Sequence, residues 1–209
     1  MIDRASVPDH SSVPNHHASF PGFSGPMGLI AALSMVFGRE GDARLAARLS
    51  GLEPGDTVVD VGCGPGAAVR HATALGASVT GVDPAPIMLS VARRLTHGRG
   101  ARFVEGTAEA LPVDDDSATV VWSIATAHHW ADVEAGLREA RRVLRAGGRL
   151  VVIERHTVAG ARGHASHGWT EARAARFADR CRDAGFADVR IEQDTTGRRR
   201  TLSVIATSP

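Results

Sequence analysis

Ten consecutive residues carry most of the information about the fold: Thr57-Val58-Val59-Asp60-Val61-Gly62-Cys63-Gly64-Pro65-Gly66. The apolar run predicts a buried strand, and the glycines lead into a helix predicted from Ala67. Glycine lets the backbone approach a ligand closely, because a side chain at these positions would block the approach. Ligands of open α/β sheets lie at the carboxyl ends of the strands. We therefore expect a binding site at this loop.

On either side of this loop, helices alternate with strands. The helical spacing of apolar residues predicts helices at 27–37, 42–52, 67–75, 87–95, 132–144 and 170–184. Apolar runs predict strands at 57–61, 78–82, 101–104, 118–123, 150–153, 189–193 and 202–206. This alternation predicts an α/β fold in which a mostly parallel sheet is covered by helices on both faces. The last two strands predict a closing antiparallel hairpin.

The chain is long enough for one sizeable core. Residues 1–26 are rich in Pro, Ser, His and Gly without periodicity, which predicts a flexible N-terminal arm. Residues 27–209 are predicted to form a single domain. The helices predicted within 27–52 and the apolar residues Phe20, Phe23, Met27 and Phe37 are expected to form an apolar lid over the substrate.

Composition excludes several kinds of chemistry. All 24 basic residues are Arg, and the chain has no Lys and no Tyr, so Schiff-base lysines, P-loop lysines and tyrosine acids are absent. The net charge of +1 gives no reason to expect nucleic acid or a membrane surface as partner. Cys63 and Cys181 indicate neither a disulfide framework nor a thiolate zinc site. With no signal peptide and no transmembrane stretch recognised, we expect a cytoplasmic protein.

The glycine loop by itself leaves two cofactor classes open. Gly62, Gly64 and Ala67 also satisfy the loose dinucleotide fingerprint, so the loop permits a nicotinamide or an adenosylmethionine cofactor. Asp83 ends the second strand, where a carboxylate can accept both ribose hydroxyls of either cofactor. Other positions must therefore distinguish the two classes.

Four motifs together resemble one family. The stretch from Val58 to Gly66 resembles motif I of the class I S-adenosylmethionine-dependent methyltransferases, and Val79 to Asp83 resembles their second-strand acidic motif. Residues 106–112, Gly-Thr-Ala-Glu-Ala-Leu-Pro, look like the segment that holds adenine, and Arg141 to Gly148 looks like the turn before the fifth strand. Their order and spacing are similar to the broad group of ubiquinone/menaquinone and small-molecule methyltransferases.

The resemblance implies a Rossmann-like class I methyltransferase fold with seven strands, the final one antiparallel, and S-adenosylmethionine as cofactor. It implies that the glycines surround the methionine part, that Asp83 binds the ribose, and that Ala108 and Glu109 lie beside the adenine. Many relatives carry Asp where this chain has Thr107. Asp60 either contacts the cofactor or accepts backbone N–H bonds that fix the loop. The predicted cofactor-binding residues are Asp60, Gly62, Cys63, Gly64, Gly66, Asp83, Pro84, Thr107, Ala108, Glu109 and Ser123.

Two histidines are the candidates for catalysis. Methyl transfer needs an acceptor atom held in line with the methyl group, and a base helps when that acceptor carries a proton. His128 and His129 follow the fourth strand at the carboxyl end of the sheet, and the alternative is that they only shape this loop. Six other histidines could reach the same end of the sheet: His10, His16, His17, His156, His164 and His167. Because none of them has a known zinc-ligand spacing, we expect no metal.

These observations predict a methyltransferase that acts on a small-molecule acceptor as a monomer or homodimer. The alternative is a non-catalytic scaffold or sensor that binds adenosylmethionine. A nicotinamide oxidoreductase is disfavoured, because the chain lacks the Tyr and Lys of short-chain dehydrogenases. The identity of the acceptor and its reacting atom stay open.

Overall fold

The computed structural model describes residues 39–96, 100–161, 167–196 and 199–209. The arm predicted at 1–26 and the helix predicted at 27–37 lie outside these ranges. The strands are β1 (Thr57–Val61), β2 (Ser78–Asp83), β3 (Ala101–Glu105), β4 (Ala118–Ile124), β5 (Leu144–Arg155), β6 (Ala187–Thr196) and β7 (Arg199–Thr207). The helices are α1 (Glu40–Ser50), α2 (Ala67–Ala74), α3 (Pro86–Leu95), α4 (Val133–Val143) and α5 (Glu171–Asp183), with a 3₁₀ helix at Ala127–His129.

The seven strands form one sheet in the order β3-β2-β1-β4-β5-β7-β6. Neighbouring strands from β3 to β5 run parallel, and β7 runs antiparallel to both β5 and β6. The predicted seven-stranded Rossmann-like sheet with an antiparallel final strand is therefore confirmed. The order of strands reverses between β1 and β4, which creates a crevice at their carboxyl ends.

Two apolar cores lie on opposite faces of this sheet. Val59, Val121 and Leu150 belong to the core that α4 and α5 cover. Val58 and Val120 belong to the other core, which α1, α2 and α3 cover. Successive strand residues therefore point to opposite cores, which explains why the central strands are apolar throughout rather than alternating. Helices cover both faces, as predicted.

Strand β5 is longer than its apolar run. The sequence predicted a strand only at 150–153, whereas β5 starts at Leu144 and includes Gly147 and Gly148. The Gly147 amide donates to the Ser208 carbonyl, and the Ser208 amide donates to the Gly148 carbonyl, each at 2.7 Å. This pairing with Ser208 extends the strand beyond the apolar run at 150–153 from which it was predicted.

Helix ends follow local sequence rules. The Thr170 side chain accepts a hydrogen bond from the Arg173 amide and so caps the start of α5, at the first residue of the helix predicted at 170–184. At the end of α1, Gly51 adopts the left-handed conformation with a φ of 55°. Within the described ranges, no helix combines the length and apolarity that crossing a membrane requires.

Candidate active site

A cavity of about 520 Å³ opens at the carboxyl ends of β1, β2 and β4. Its volume lies in the range of small-molecule and cofactor sites, roughly 300–1,000 Å³. The wall is formed by Arg39, Met88 and the segments 60–65, 67–68, 83–86, 106–109, 124–126 and 129–131. The cavity thus lies at the strand-order reversal, where the glycine loop predicted a site.

The backbone of the glycine loop is held against β2 and β4. The amides of Gly62 and Cys63 donate to the Val82 carbonyl at 2.8 and 3.0 Å. Gly62 has a φ of +74°, and a Cβ atom there would lie 2.6 Å from the Thr126 side chain. Gly64 has a φ of +51°, and a Cβ atom there would meet no protein atom within 4 Å. Gly64 therefore presents bare backbone to the cavity.

Gly66 lies at a packing contact between α2, α3 and β3. It does not line the cavity, and a Cβ atom there would lie 3.2 Å from both Ala92 and Phe103. With a φ of +80°, Gly66 lets the start of α2 pack on α3 and β3. The contact expected between Gly66 and the methionine part of the cofactor stays a prediction.

Cys63 lines the cavity and is buried. Burial, followed by the charges of Asp60 and Asp83, raises the pKa of its thiol well above the usual value. A thiol in these surroundings stays protonated and is a poor nucleophile. Cys63 is therefore a small wall residue of the cavity.

Asp83 ties the glycine loop to the start of α3. Its Oδ2 accepts a hydrogen bond from the Gly64 amide, and its Oδ1 accepts one from the Ala85 amide, both at 2.9 Å. Burial raises the pKa of Asp83, and these two hydrogen bonds oppose the rise. Each carboxylate oxygen has a second lone pair, so both can still accept a ligand hydroxyl. Pro84 follows it in the cavity wall.

Asp60 is a buried carboxyl group, 2% exposed, in the cavity wall. Burial and repulsion by Asp83 raise its pKa to about 7, against the opposing charge of Arg39. Across the ranges that the structure describes, no hydrogen bond reaches the Asp60 carboxyl group. The interpretation in which it fixes the loop by accepting backbone N–H bonds is therefore not supported.

The segment predicted to hold adenine forms another wall of the cavity, with Thr107, Ala108 and Glu109. Glu109 Oε1 accepts hydrogen bonds from the amides of Ala131 and Asp132 at 2.7 and 3.2 Å. Glu109 therefore joins this segment to the loop that precedes α4, and both walls are fixed relative to each other.

Ser123 lies behind the cavity wall and forms a hydrogen bond with a residue of that wall. It is fully buried and does not line the cavity, in contrast to the prediction. The Thr126 hydroxyl donates to the Val61 carbonyl at 2.8 Å, and Ser123 Oγ lies 2.8 Å from Thr126 Oγ1. Because Thr126 uses its hydrogen on Val61, Ser123 is the donor of this pair. Thr126 is the wall residue, and sequence reasoning missed it.

The two candidate histidines take different positions. His129 lines the cavity, whereas His128 does not. His128 Nδ1 lies 2.8 Å from Glu154 Oε2, and the His128 amide donates to Glu154 Oε1 at 3.2 Å. Glu154 is fully buried in β5. Sequence reasoning also missed this carboxylate, because it ends an apolar run.

Comparison with known proteins finds similar sequences among methyltransferases. Residues 59–152 match the family model described as a methyltransferase domain. A demethylmenaquinone methyltransferase of Tropheryma whipplei (strain Twist) is 37% identical over 115 residues, which cover 53% of this chain and 46% of that protein. The 27-O-demethylrifamycin SV methyltransferase of Amycolatopsis mediterranei (strain S699) is 39% identical over 121 residues, covering 54% and 44%. The chain spans about half the length of these relatives.

A solved structure of a SAM-dependent methyltransferase from Aquifex aeolicus has a TM-score of 0.72 at 18% identity, covering 87% of this chain and 98% of that one. The sheet and the cavity at its strand-order reversal thus define a Rossmann-like class I methyltransferase fold. The Rossmann-like fold predicted from the sequence is confirmed. The predicted methyltransferase class and S-adenosylmethionine cofactor agree with these similarities.

The cavity wall suits this cofactor. S-adenosylmethionine carries a cationic sulfonium, an ammonium group and ribose hydroxyls. Gly64 leaves room for a ligand against bare backbone, and Asp60 and Asp83 place two buried carboxyl groups beside it. A ligand with positive charge and hydroxyl donors would compensate both groups, which burial otherwise penalises.

Proposed function

We propose that this chain transfers a methyl group from S-adenosylmethionine to a small-molecule acceptor. The observation that carries the proposal is one shared cavity, lined by the glycine loop, by the carboxyl groups of Asp60 and Asp83, and by His129. Cofactor-binding groups and a proton acceptor thereby reach the same space, which methyl transfer to a protonated acceptor requires.

Each wall residue has a proposed contact. Gly62, Cys63 and Gly64 lie along the methionine part, and Asp60 faces its ammonium group. Asp83 accepts the ribose hydroxyls, with Pro84 beside them. Thr107, Ala108 and Glu109 surround the adenine. Gly66 and Ser123 act through their neighbours, because neither lines the cavity.

When bound, S-adenosylmethionine supplies a methyl group made electrophilic by the sulfonium. The protein positions the acceptor and removes its proton. His129 takes this role because its side chain lies in the cavity wall, and Trp130 beside it gives the acceptor an apolar surface. His128 is held by Glu154 and supports the loop that carries His129.

A small acceptor fits the apolar part of the wall, to which Met88, Ile124 and Trp130 contribute. The names of the two relatives specify a demethylmenaquinone and a demethylrifamycin as their substrates, and both are small molecules. A monomer or homodimer, a cytoplasmic location and the absence of a nucleic-acid partner stay predictions.

Isothermal titration with S-adenosylmethionine and with its demethylated product tests cofactor binding. A screen with radiolabelled methyl donor against phenols, alcohols, thiols and amines tests transfer. We expect both ligands to bind and at least one acceptor class to be labelled, with turnover lowered in His129→Ala and unchanged in His71→Ala. Binding without transfer to any class would favour the scaffold or sensor instead. Failure of both ligands to bind would contradict the proposal.

A further inference from the structure

Three imidazole rings come together beside the cavity wall: those of His128, His129 and His167. One ring nitrogen of each lies within 4.8 Å of the others. The ring centroids of His128 and His129 are 3.8 Å apart, and His167 lies 5.9 and 6.3 Å from them. All three side chains are partly buried. Such a cluster places three ring nitrogens that can act as metal ligands around one point.

The backbone holds the members of this cluster in place. The His129 amide donates to the Thr126 carbonyl at 2.9 Å, which closes the 3₁₀ helix. On the other side, the Trp169 amide donates to the Arg155 carbonyl at 2.8 Å, next to His167. Gly168, which lies between His167 and Trp169, has a φ of +129°, and any side chain there would collide with the Arg155 backbone. The two loops are thus fixed to the same end of β5.

Glu154 orients one of the three rings. It is 0% exposed, and its Oε2 lies 2.8 Å from His128 Nδ1. A carboxylate that accepts the Nδ1 hydrogen leaves the Nε2 lone pair available, as is common for histidines that bind metal ions. The His128 amide donates to the other oxygen of Glu154, so the carboxylate is itself fixed.

We propose that His128, His129 and His167 form a binding site for a first-row divalent cation, with Zn²⁺ as the best match. Zinc binds three histidines at about 2.0–2.1 Å and leaves a fourth position open when the site is catalytic. Tetrahedral ligands at this length are roughly 3.4 Å apart, so small side-chain rotations bring the three nitrogens to the cation. This proposal departs from the expectation of no metal, which relied on ligand spacing along the sequence.

The open position would serve the acceptor, a step that rests on the proposed methyl transfer. With a cation bound, the cation and not His129 would promote loss of the acceptor's proton. His129 belongs both to the cluster and to the cavity wall. A hydroxyl or thiol bound to the cation loses its proton to solvent more easily, because the cation stabilises the anion. The anion then forms a bond to the methyl carbon while the bond from that carbon to the sulfonium breaks, which releases the neutral thioether. Alcohols, phenols and thiols are therefore the favoured acceptors.

The binding experiment uses the full chain, stripped with a chelator and free of cofactor. Zn²⁺ is titrated in competition with a chromophoric zinc indicator, and Co²⁺ is followed by its visible absorption. We expect one equivalent of Zn²⁺ and the intense Co²⁺ bands of a four- or five-coordinate site. His167→Ala should weaken zinc binding by about 100-fold or more, and Glu154→Gln by roughly 10–100-fold.

Two controls separate this cluster from other histidines. His71→Ala, on α2, should keep wild-type zinc affinity. The double variant H16A/H17A should keep it as well, which excludes the N-terminal histidines as ligands. The His167→Ala protein should still bind the demethylated cofactor normally, so its loss of zinc reports the site and not misfolding. Unchanged zinc affinity in His167→Ala, or zinc lost only in H16A/H17A, overturns the proposal.

The zinc-binding experiment and the test of methyl transfer can fail independently of each other. Zinc binding that depends on His167 supports the site even if no acceptor is methylated. If the wild-type protein binds no Zn²⁺ in the titration and still transfers methyl groups, the proposed function is supported and the metal site is contradicted.

Discussion

The two glycines Gly64 and Gly66 share a left-handed backbone but differ in what surrounds them. Their φ angles are +51° and +80°, so an added side chain strains both positions to a similar degree. A Cβ atom at Gly64 enters open space in the cavity, whereas one at Gly66 meets Phe103 and Ala92 at 3.2 Å. One glycine therefore serves ligand approach, and the other serves packing.

Gly64→Ala and Gly66→Ala form a matched pair of variants. We expect Gly64→Ala to lower the free energy of unfolding by about 1–2 kcal/mol and to weaken cofactor binding at least tenfold. Gly66→Ala should lower the free energy of unfolding by a further 1–2 kcal/mol or so, because the added methyl group crowds the core. Denaturant unfolding and isothermal titration measure the two effects. A larger affinity loss at Gly66 than at Gly64 would contradict this division of roles.

Asp60 couples folding to pH. Its carboxyl group titrates near 3.8 in an unfolded chain and at about 7 in the folded protein, because burial and Asp83 disfavour its charge. Between these two values the folded state holds a proton that the unfolded state has released. The free energy of unfolding therefore falls as pH rises from about 4 to 7, and it is constant with respect to this group above that window.

Asp60→Asn removes this titration. In the cofactor-free protein, we expect the variant to be more stable than wild type at pH 8 by up to about 4 kcal/mol, with the difference shrinking towards pH 4. Urea unfolding at several pH values measures it, and Asp179→Asn on the exposed side of α5 controls for the lost charge. Parallel stability curves for Asp60→Asn and wild type would show that the group is not coupled to folding.

At the level of elements, α4 determines the position of residues 106–112, the segment predicted to hold adenine. The Leu111 amide donates to Glu139 Oε2 at 2.8 Å, and Arg142 Nη2 donates to the Leu111 carbonyl at 2.9 Å. Glu109 adds the link to the amides that precede the helix. Hydrogen bonds of Glu139 with Arg142 lower the pKa of Glu139, although partial burial opposes the shift. The cavity wall therefore depends on the docking of a helix.

Glu109→Ala should weaken cofactor binding by about tenfold, because it releases one wall of the cavity from the start of α4. Asp132→Ala provides the comparison, since its side chain caps α4 by accepting from the Ala135 amide at 2.9 Å. It should cost about 1 kcal/mol of stability and leave cofactor affinity unchanged. Titration calorimetry and thermal unfolding distinguish the two. Equal affinity losses in both variants would mean that helix stability, and not the Glu109 link, controls the cavity.

At the level of the whole molecule, Arg39, the first residue that the structure describes, lies at the cavity wall. Arg39 lines the cavity and its Nη1 donates to the Ile124 carbonyl at 3.3 Å. This position favours the hypothesis that the N-terminal segment covers the acceptor.

Deletion of residues 1–26 should raise the KM for the acceptor more than the dissociation constant for the cofactor. Replacing Phe20 and Phe23 by Ser in the full chain should reproduce part of the effect, because the hypothesis attributes the covering to apolar contact. Steady-state kinetics with the acceptor identified in the screen, and calorimetry with the cofactor, measure both constants. If both constants stay at their wild-type values, the segment does not act as a lid.

Features carried by neighbouring residues could be predicted from the sequence. Apolar runs and glycine positions located β1, the loop after it and Asp83, and Thr170 marked the start of α5. The sequence could not predict that Gly66 faces Phe103, because the two are brought together only when α2 packs on β3. It also could not predict the partner of His128, because Glu154 ends an apolar run without any local sign of its role.

The sequence by itself thus determined the alternation of strands and helices and the glycine loop, because each depends on local backbone preferences and periodicity. It indicated the cofactor class through its resemblance to a known family. Only the tertiary structure decided which of these residues reach the cavity and which lie behind it. It also brought His167 to His128 and His129, through the pairing of the loop after β5 with the end of that strand. Ligand geometry of this kind depends on contacts between distant segments, which spacing along the chain does not encode.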